Sequence, residues 1–201
     1  MLTRRNFLAF ASCFAAAPAR AEVPRWGRKL IAAAESQLGR TVIYDPAYVK
    51  LAYPGGDLPI ERGVCTDVIV RAYRDGLGLD LQKLVHEDMR VAFQAYPKTW
   101  GLSKPDRNID HRRVPNLQTF FTRKGAALAV REDAAAYAPG DLMTMMLPGN
   151  LPHIGIVSDQ RTEDGARPLL IHNIGAGAKR DDVLASFRVT GRYRYFGNSA
   201  Q

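Results

Sequence analysis

The spacing of apolar positions changes near residue 139: helical before it, alternating or in short unbroken blocks after it. Over residues 25–38, Leu30, Ile31, Ala34 and Leu38 form one stripe and Gly39 follows as a stop, which predicts a first helix. Thr41 to Tyr44 reads as a short β-like run closed by an Asp45-Pro46 turn, and Tyr53-Pro54-Gly55-Gly56-Asp57 has the chemistry of a loop. Cys65 to Leu77 is the clearest helix. Val68, Ile69, Ala72 and Tyr73 make its apolar stripe, Arg71, Arg74 and Asp75 lie off it, and Gly76 and Gly78 end it. Gly63 breaks anything longer, so this helix should begin at or just before Cys65. A further helix is predicted over Leu81 to Tyr96, with Leu84, Val85, Met89 and Phe93 inward, and another over Asn116 to Arg123. Between them, Trp100 to Pro115 reads as a charged loop.

After Pro139-Gly140-Asp141 the pattern predicts strands at Leu142 to Met146, His153 to Ser158, Leu169 to Asn173 and Phe187 to Phe196, with a loop over 147–152. Helices followed by strands predict a single α+β domain, its N-terminal helices packed on a C-terminal antiparallel sheet. The chain has 201 residues, which suits one such domain plus a targeting segment. There is neither an internal repeat nor an interdomain linker.

The first 21 residues read as that targeting segment. Arg4 and Arg5 supply a charged start, Phe7 to Ala17 an apolar run too short to span a bilayer, and Ala19-Arg20-Ala21 a small-residue cleavage site. Thr3-Arg4-Arg5-Asn6-Phe7-Leu8 resembles a twin-arginine signal, the alternative being a general secretory signal with two arginines. The expected domain is therefore 22–201, released into the periplasm after cleavage near Ala21, without stable membrane insertion.

Cleavage changes two readings. The formal charge of +8 includes Arg4, Arg5 and Arg20, so the mature chain carries +5, modestly attractive to an anionic polymer or surface. No Lys/Arg run with interleaved aromatics accompanies it, which argues against nucleic acid as a partner. Of the two cysteines, Cys13 leaves with the signal, and Cys65 is left unpaired in a compartment where thiols are usually paired. Composition leaves it open whether Cys65 is an inert core thiol or a reactive one.

The histidines supply the next constraint. His153 shares a strand face with Gly155 and Val157, and His172 with Leu170. If the two strands are neighbours, the imidazoles lie side by side, and a helix packed on that face would present its N-terminus to them. A thiol at a helix N-terminus has a lowered pKa, and a strand imidazole can act as base and then acid. A third polar group would orient that imidazole, and backbone N–H groups would bind the oxyanion. His86, beside Glu87 and Asp88, reads as a solvated helix face. One cysteine and scattered histidines lack metal-ligand spacing, and no cofactor motif is present. Asp110-His111-Arg112-Arg113 is either a structural ion-pair loop or a binder of planar anions. Asp67, in the first turn of its helix, is either a cap or a site residue.

Tyr53-Pro54-Gly55-Gly56 and Gly63-Val64-Cys65-Thr66-Asp67-Val68 resemble the Tyr-x-x-Gly and Asp-Cys-Ser-Gly-Phe segments of NlpC/P60 peptidases. Gly140-Asp141-Leu142, His153-Ile154-Gly155-Ile156-Val157 and Ile171-His172-Asn173 resemble that family's later motifs. More closely, Gly63 to Asp67, Asn108 to Asn116 and His172 to Gly175 resemble the domain-of-unknown-function 1287 family, over roughly 29–196. The NlpC/P60 resemblance implies a papain-like fold and an exported cysteine peptidase or amidase acting on peptidoglycan stem peptides, with no cofactor. By that resemblance Cys65 would be nucleophile, His153 base, His172 the orienting residue and Tyr53 a tyrosine near the nucleophile; with Asp67 and Arg112, read from their own chemistry, Tyr53 makes up the candidate substrate-binding positions. Val64 stands where the peptidases carry Asp, and Thr66-Asp67 where they carry Ser-Gly, which leaves bond specificity open. Acyl transfer on the same fold, or a non-catalytic envelope-binding module, are the alternatives.

Overall fold

The computed structural model describes residues 22–197. The expected export signal, with Cys13 and the cleavage site, lies outside the described residues. Helix α1 spans Arg25–Glu35, and β1 (Ile43–Tyr44) pairs in parallel with β2 (Arg62–Gly63). Helices α2 (Cys65–Leu77), α3 (Leu81–Ala92) and α4 (Val114–Arg123) follow. Strands β3 (Ala127–Leu128), β4 (Leu142–Leu147), β5 (Leu151–Arg161), β6 (Pro168–Asn173), β7 (Ala178–Asp181) and β8 (Arg188–Tyr193) complete the chain. Among the described residues this is a mixed α+β fold of four helices and a six-stranded antiparallel sheet, ordered β3-β8-β4-β5-β6-β7.

Local chemistry accounts for most of the boundaries. Helix α1 stops at Glu35, short of the expected Leu38, because its last turn tightens: the N–H groups of Gln37 and Leu38 donate three residues back. Helix α2 ends where expected, with Gly78 left-handed at φ 68° and its N–H returned to Arg74 O. Asp80 caps α3 by accepting from Lys83 N. Strand β5 starts two residues before the predicted His153. Gly149 and Asn150 take positive φ and turn the chain tightly, so Leu147 pairs with Leu151. The short strands β2, β3 and β7 have no alternating apolar signal and are found only through their partners.

Both faces of the sheet are buried. Leu142, Ile154, Ile156 and Ile171 pack with Leu30, Val68, Ile69 and Phe121 under the helices. Met143, Met145, Val157 and Leu170 pack on the opposite face with Tyr137 and Leu184. Asp141, fully buried, anchors the start of β4 by accepting from Arg192 Nε at 2.8 Å and Arg194 Nε at 2.7 Å. Thus the Gly140-Asp141-Leu142 segment holds β4 to β8.

The long connection between β1 and α2 is tied down from within. Arg71, 1% exposed, donates to Asp57, Thr41 Oγ1 and the carbonyls of Leu58, Pro59 and Arg62. A charge the helical pattern left off the apolar stripe therefore fixes the loop that leads into Cys65. Asn173 completes the clamp, donating from Nδ2 to Gly63 O at 3.0 Å and accepting from Gly175 N.

Candidate active site

Cys65 is the first residue of α2 and is 4% exposed. The N–H groups of Ile154, Thr66 and Cys65 itself favour a negative sulfur, but burial outweighs them and, helped by the Asp67 charge, pushes the thiol up to about 12. The expected lowering by the helix N-terminus is thereby corrected: desolvation is the larger effect. Alkylation of Cys65 should therefore speed up about tenfold per pH unit from pH 6 to 10, without a plateau. Iodoacetamide kinetics read this directly, and a plateau below pH 8 would mean a stabilised thiolate.

His153 and His172 are each 1% exposed, and His153 Nε2 lies 3.0 Å from His172 Nδ1. Their rings cross edge to face, 81° apart. Gly155 makes room for them, since a Cβ there would come within 3.1 Å of His172 Cβ. Burial lowers His153 to about 3, with the neighbouring His172 adding to it, and burial also lowers His172. His172 Nε2 is buried without a hydrogen-bond partner, 3.8 Å from Asp181 Oδ2. The Asp181 carboxylate favours a proton on that nitrogen. With the proton on that nitrogen, the consistent tautomer has His172 Nδ1 accept from His153 Nε2–H and leaves the His153 Nδ1 unprotonated.

The helix does not cover the imidazole face as expected. His153 pairs with Met145 and shares the face of Val157 and Leu170, whereas α2 packs on Ile154 and Ile156. Alternation could not decide which face meets the helices, because both are buried. The sulfur reaches β5 at the main chain of Ile154, the residue after His153. Among the described residues, no hydrogen bond joins the thiol to His153.

The other predicted positions separate. Asp67 accepts from Val64 N at 2.7 Å and from Arg112 Nε at 2.9 Å, so it caps α2 and pairs a buried arginine. Arg112 also donates from Nη2 to Asp45 O and from Nη1 to Ala47 O. Both are held chiefly by the protein itself, and Arg112 also lines the cleft beside Cys65. Tyr53 packs edge-on against His86 and under Arg107, outside that cleft. His86 is half-buried against it rather than solvated.

Tyr44 stands at Cys65 instead. Tyr44 is 39% exposed, and partial burial of its phenol, with Asp67 nearby, pushes it up to about 12. Tyr44, Cys65, Trp100 and Arg113 border one cleft of about 460 Å³. Sequence reasoning missed Tyr44, Trp100, Arg113 and Asp181; only Arg113 carried a signal, in the Asp110-His111-Arg112-Arg113 motif. Among the described residues, no group of three or more His, Cys, Asp or Glu could hold a metal ion.

The buried imidazoles make a pH prediction. His111 is also lowered to about 3 by burial and by Arg112. The unfolded chain takes up protons near 6.5 that folded His111 and His153 refuse until about pH 3. Their stabilisation is complete above pH 6.5 and is lost on acidification. Asp110, raised to about 6 by burial, acts in the opposite sense between pH 6 and 4. Urea unfolding at pH 4.5 should give a stability lower than at pH 7.5 by about 3 kcal/mol. Equal values would mean that these rings protonate freely.

The family described as "Domain of unknown function (DUF1287)" matches residues 31–195. This chain belongs to the DUF1287 family. Over 163 residues it is 55% identical to the uncharacterized protein YijF of Escherichia coli (strain K12), covering 81% of this chain and 78% of that protein. The DUF1287 span contains Tyr44, Cys65, Arg113, His153, His172 and Asp181. No helix among the described residues is long and apolar enough to cross a membrane.

Proposed function

We propose that this DUF1287 domain is an exported cysteine hydrolase of papain-like architecture that cleaves an amide bond in peptidoglycan stem peptides in the periplasm. The observation that carries the reading is an unpaired cysteine at a helix N-terminus, opening on a cleft and lying at the strand residue next to a joined His153–His172 pair. The resting thiol and imidazole are both neutral, so proton transfer accompanies attack. His153 Nδ1 takes the thiol proton as sulfur bonds to the amide carbon, and His172 holds the ring through Nε2. Among the described residues there is no thiol–His153 hydrogen bond, so this step requires that substrate binding bring the thiol and the His153 ring together. The N–H groups of Cys65 and Thr66 and the Tyr44 hydroxyl are donors for the oxyanion. His153 returns the proton to the leaving amine, and water then hydrolyses the thioester.

The test is mass spectrometry of muropeptides incubated with the protein and with Cys65→Ala. New fragments from the native protein alone name the bond cut; identical profiles overturn the proposal. A second reading, a non-catalytic envelope-binding module, is favoured by the thiol pushed up to about 12. That module would bind muropeptides and leave their masses unchanged.

A further inference from the structure

The cleft beside Cys65 holds two arginines with opposite circumstances. Each guanidinium nitrogen of Arg112 donates inside the protein, to Asp67, Asp45 O or Ala47 O. The acids nearby are spent too: Asp67 on Arg112 and Val64 N, and Asp45 on Arg62 at 3.0 Å. Arg113 is different. Among the described residues its one ion-pair partner is Asp110, with Nη1 at 3.5 Å from Oδ1, at the outer limit of a hydrogen bond. The second oxygen of Asp110 is engaged by Asp106 N.

The guanidinium carbon of Arg113 lies 4.1 Å from the centroid of Trp100. The indole covers one face of the fork and fixes its plane, leaving edge N–H groups as donors. The walls around it, Ile109, Val114 and Pro115, are apolar. The cleft thus offers one underused planar cation and no uncommitted anion. A planar bidentate anion suits such a fork, and burial against apolar walls strengthens the pair.

We propose that the Arg113–Trp100 pair is the subsite for a free carboxylate of an acidic peptide lying in the Cys65 cleft. This deepens the reading of the cleft as a peptide site and rests on it. The carboxylate accepts from the edge of Arg113 while the adjoining chain packs on Trp100. Arg113 thus selects the substrate, whereas Arg112, its neighbour in sequence, holds the fold.

The experiment uses Cys65→Ala protein, so that binding is measured without turnover. Calorimetry compares acetyl-Ala-Glu, with both carboxylates free, with the uncharged acetyl-Ala-Gln amide. The acid should bind at least tenfold more tightly. Arg113→Gln should erase that preference, and Arg113→Lys should keep part of it, with far-UV and near-UV dichroism unchanged in both. Equal affinities for acid and amide, a preference that survives Arg113→Gln, or no saturable binding of the acid would overturn the proposal. If muropeptides are not cleaved by the native protein yet the acid preference is present, the hydrolase reading fails and this subsite stands.

Discussion

Cys65→Ala should abolish turnover of muropeptides, with a loss of at least about 10⁴-fold, while leaving the folded state intact. The thiol is buried among apolar side chains, and alanine removes one polarizable atom without leaving a charge behind. His153→Ala should cost a similar factor, because without Nδ1 nothing takes the thiol proton. His172→Ala should cost less, about 10²- to 10⁴-fold, since His172 acts only through the ring that it orients. The rank order matters more than the absolute values. Steady-state release of fragments by the three variants, each checked by near-UV dichroism, gives it. A His172 variant as fast as the native protein would remove the pair at 3.0 Å from the mechanism.

Arg112→Met should have the largest effect on stability, about 3–5 kcal/mol. It leaves Asp67, 4% exposed, with a buried carboxylate held by Val64 N alone, and it frees the carbonyls of Asp45 and Ala47. The double variant Arg112→Met with Asp67→Leu should recover part of that loss, because the unpaired charge is gone. Arg113→Gln should cost less than Arg112→Met, since its one ion pair among the described residues, to the buried Asp110, is long at 3.5 Å and Asp110 keeps the Asp106 N–H. Urea denaturation of the four proteins separates the two arginines. An Arg112→Met protein as stable as the native one would return Arg112 to the pool of substrate contacts.

The helices were legible wherever an apolar stripe met a stop. Helix α2 was placed to the residue because Val68, Ile69, Ala72 and Tyr73 repeat at helical spacing and Gly78 can take a left-handed cap. Strands β4, β5, β6 and β8 were legible as apolar blocks, with ends displaced by a few residues. Strands β2, β3 and β7 were not, since each is two to four residues long and owes its existence to a partner strand. The neighbouring of His153 and His172 followed from one conditional step, that their strands adjoin, and β5 and β6 do pair. Tyr53 lies outside the Cys65 cleft and Arg112 lines it with most of its donors held by the fold, because access to a cleft depends on which donors and faces the rest of the fold has already used.

By itself, the sequence determined the order of helices and strands, the single cysteine outside the first 21 residues, its place at a helix start and the strand face on which each of two imidazoles lies. Those follow from local spacing, which a periodicity of 3.6 or 2 encodes directly. Only the tertiary structure decided the environment of those groups. It put α2 on the Ile154 face rather than the imidazole face, spent Arg112 on Asp67, brought Tyr44 to Cys65 and Asp181 to His172, and left Arg113 stacked on Trp100. It also reversed the expected state of the thiol. A helix N-terminus stabilises a thiolate over one turn, whereas desolvation depends on every atom packed around the sulfur, and at Cys65 the packing wins.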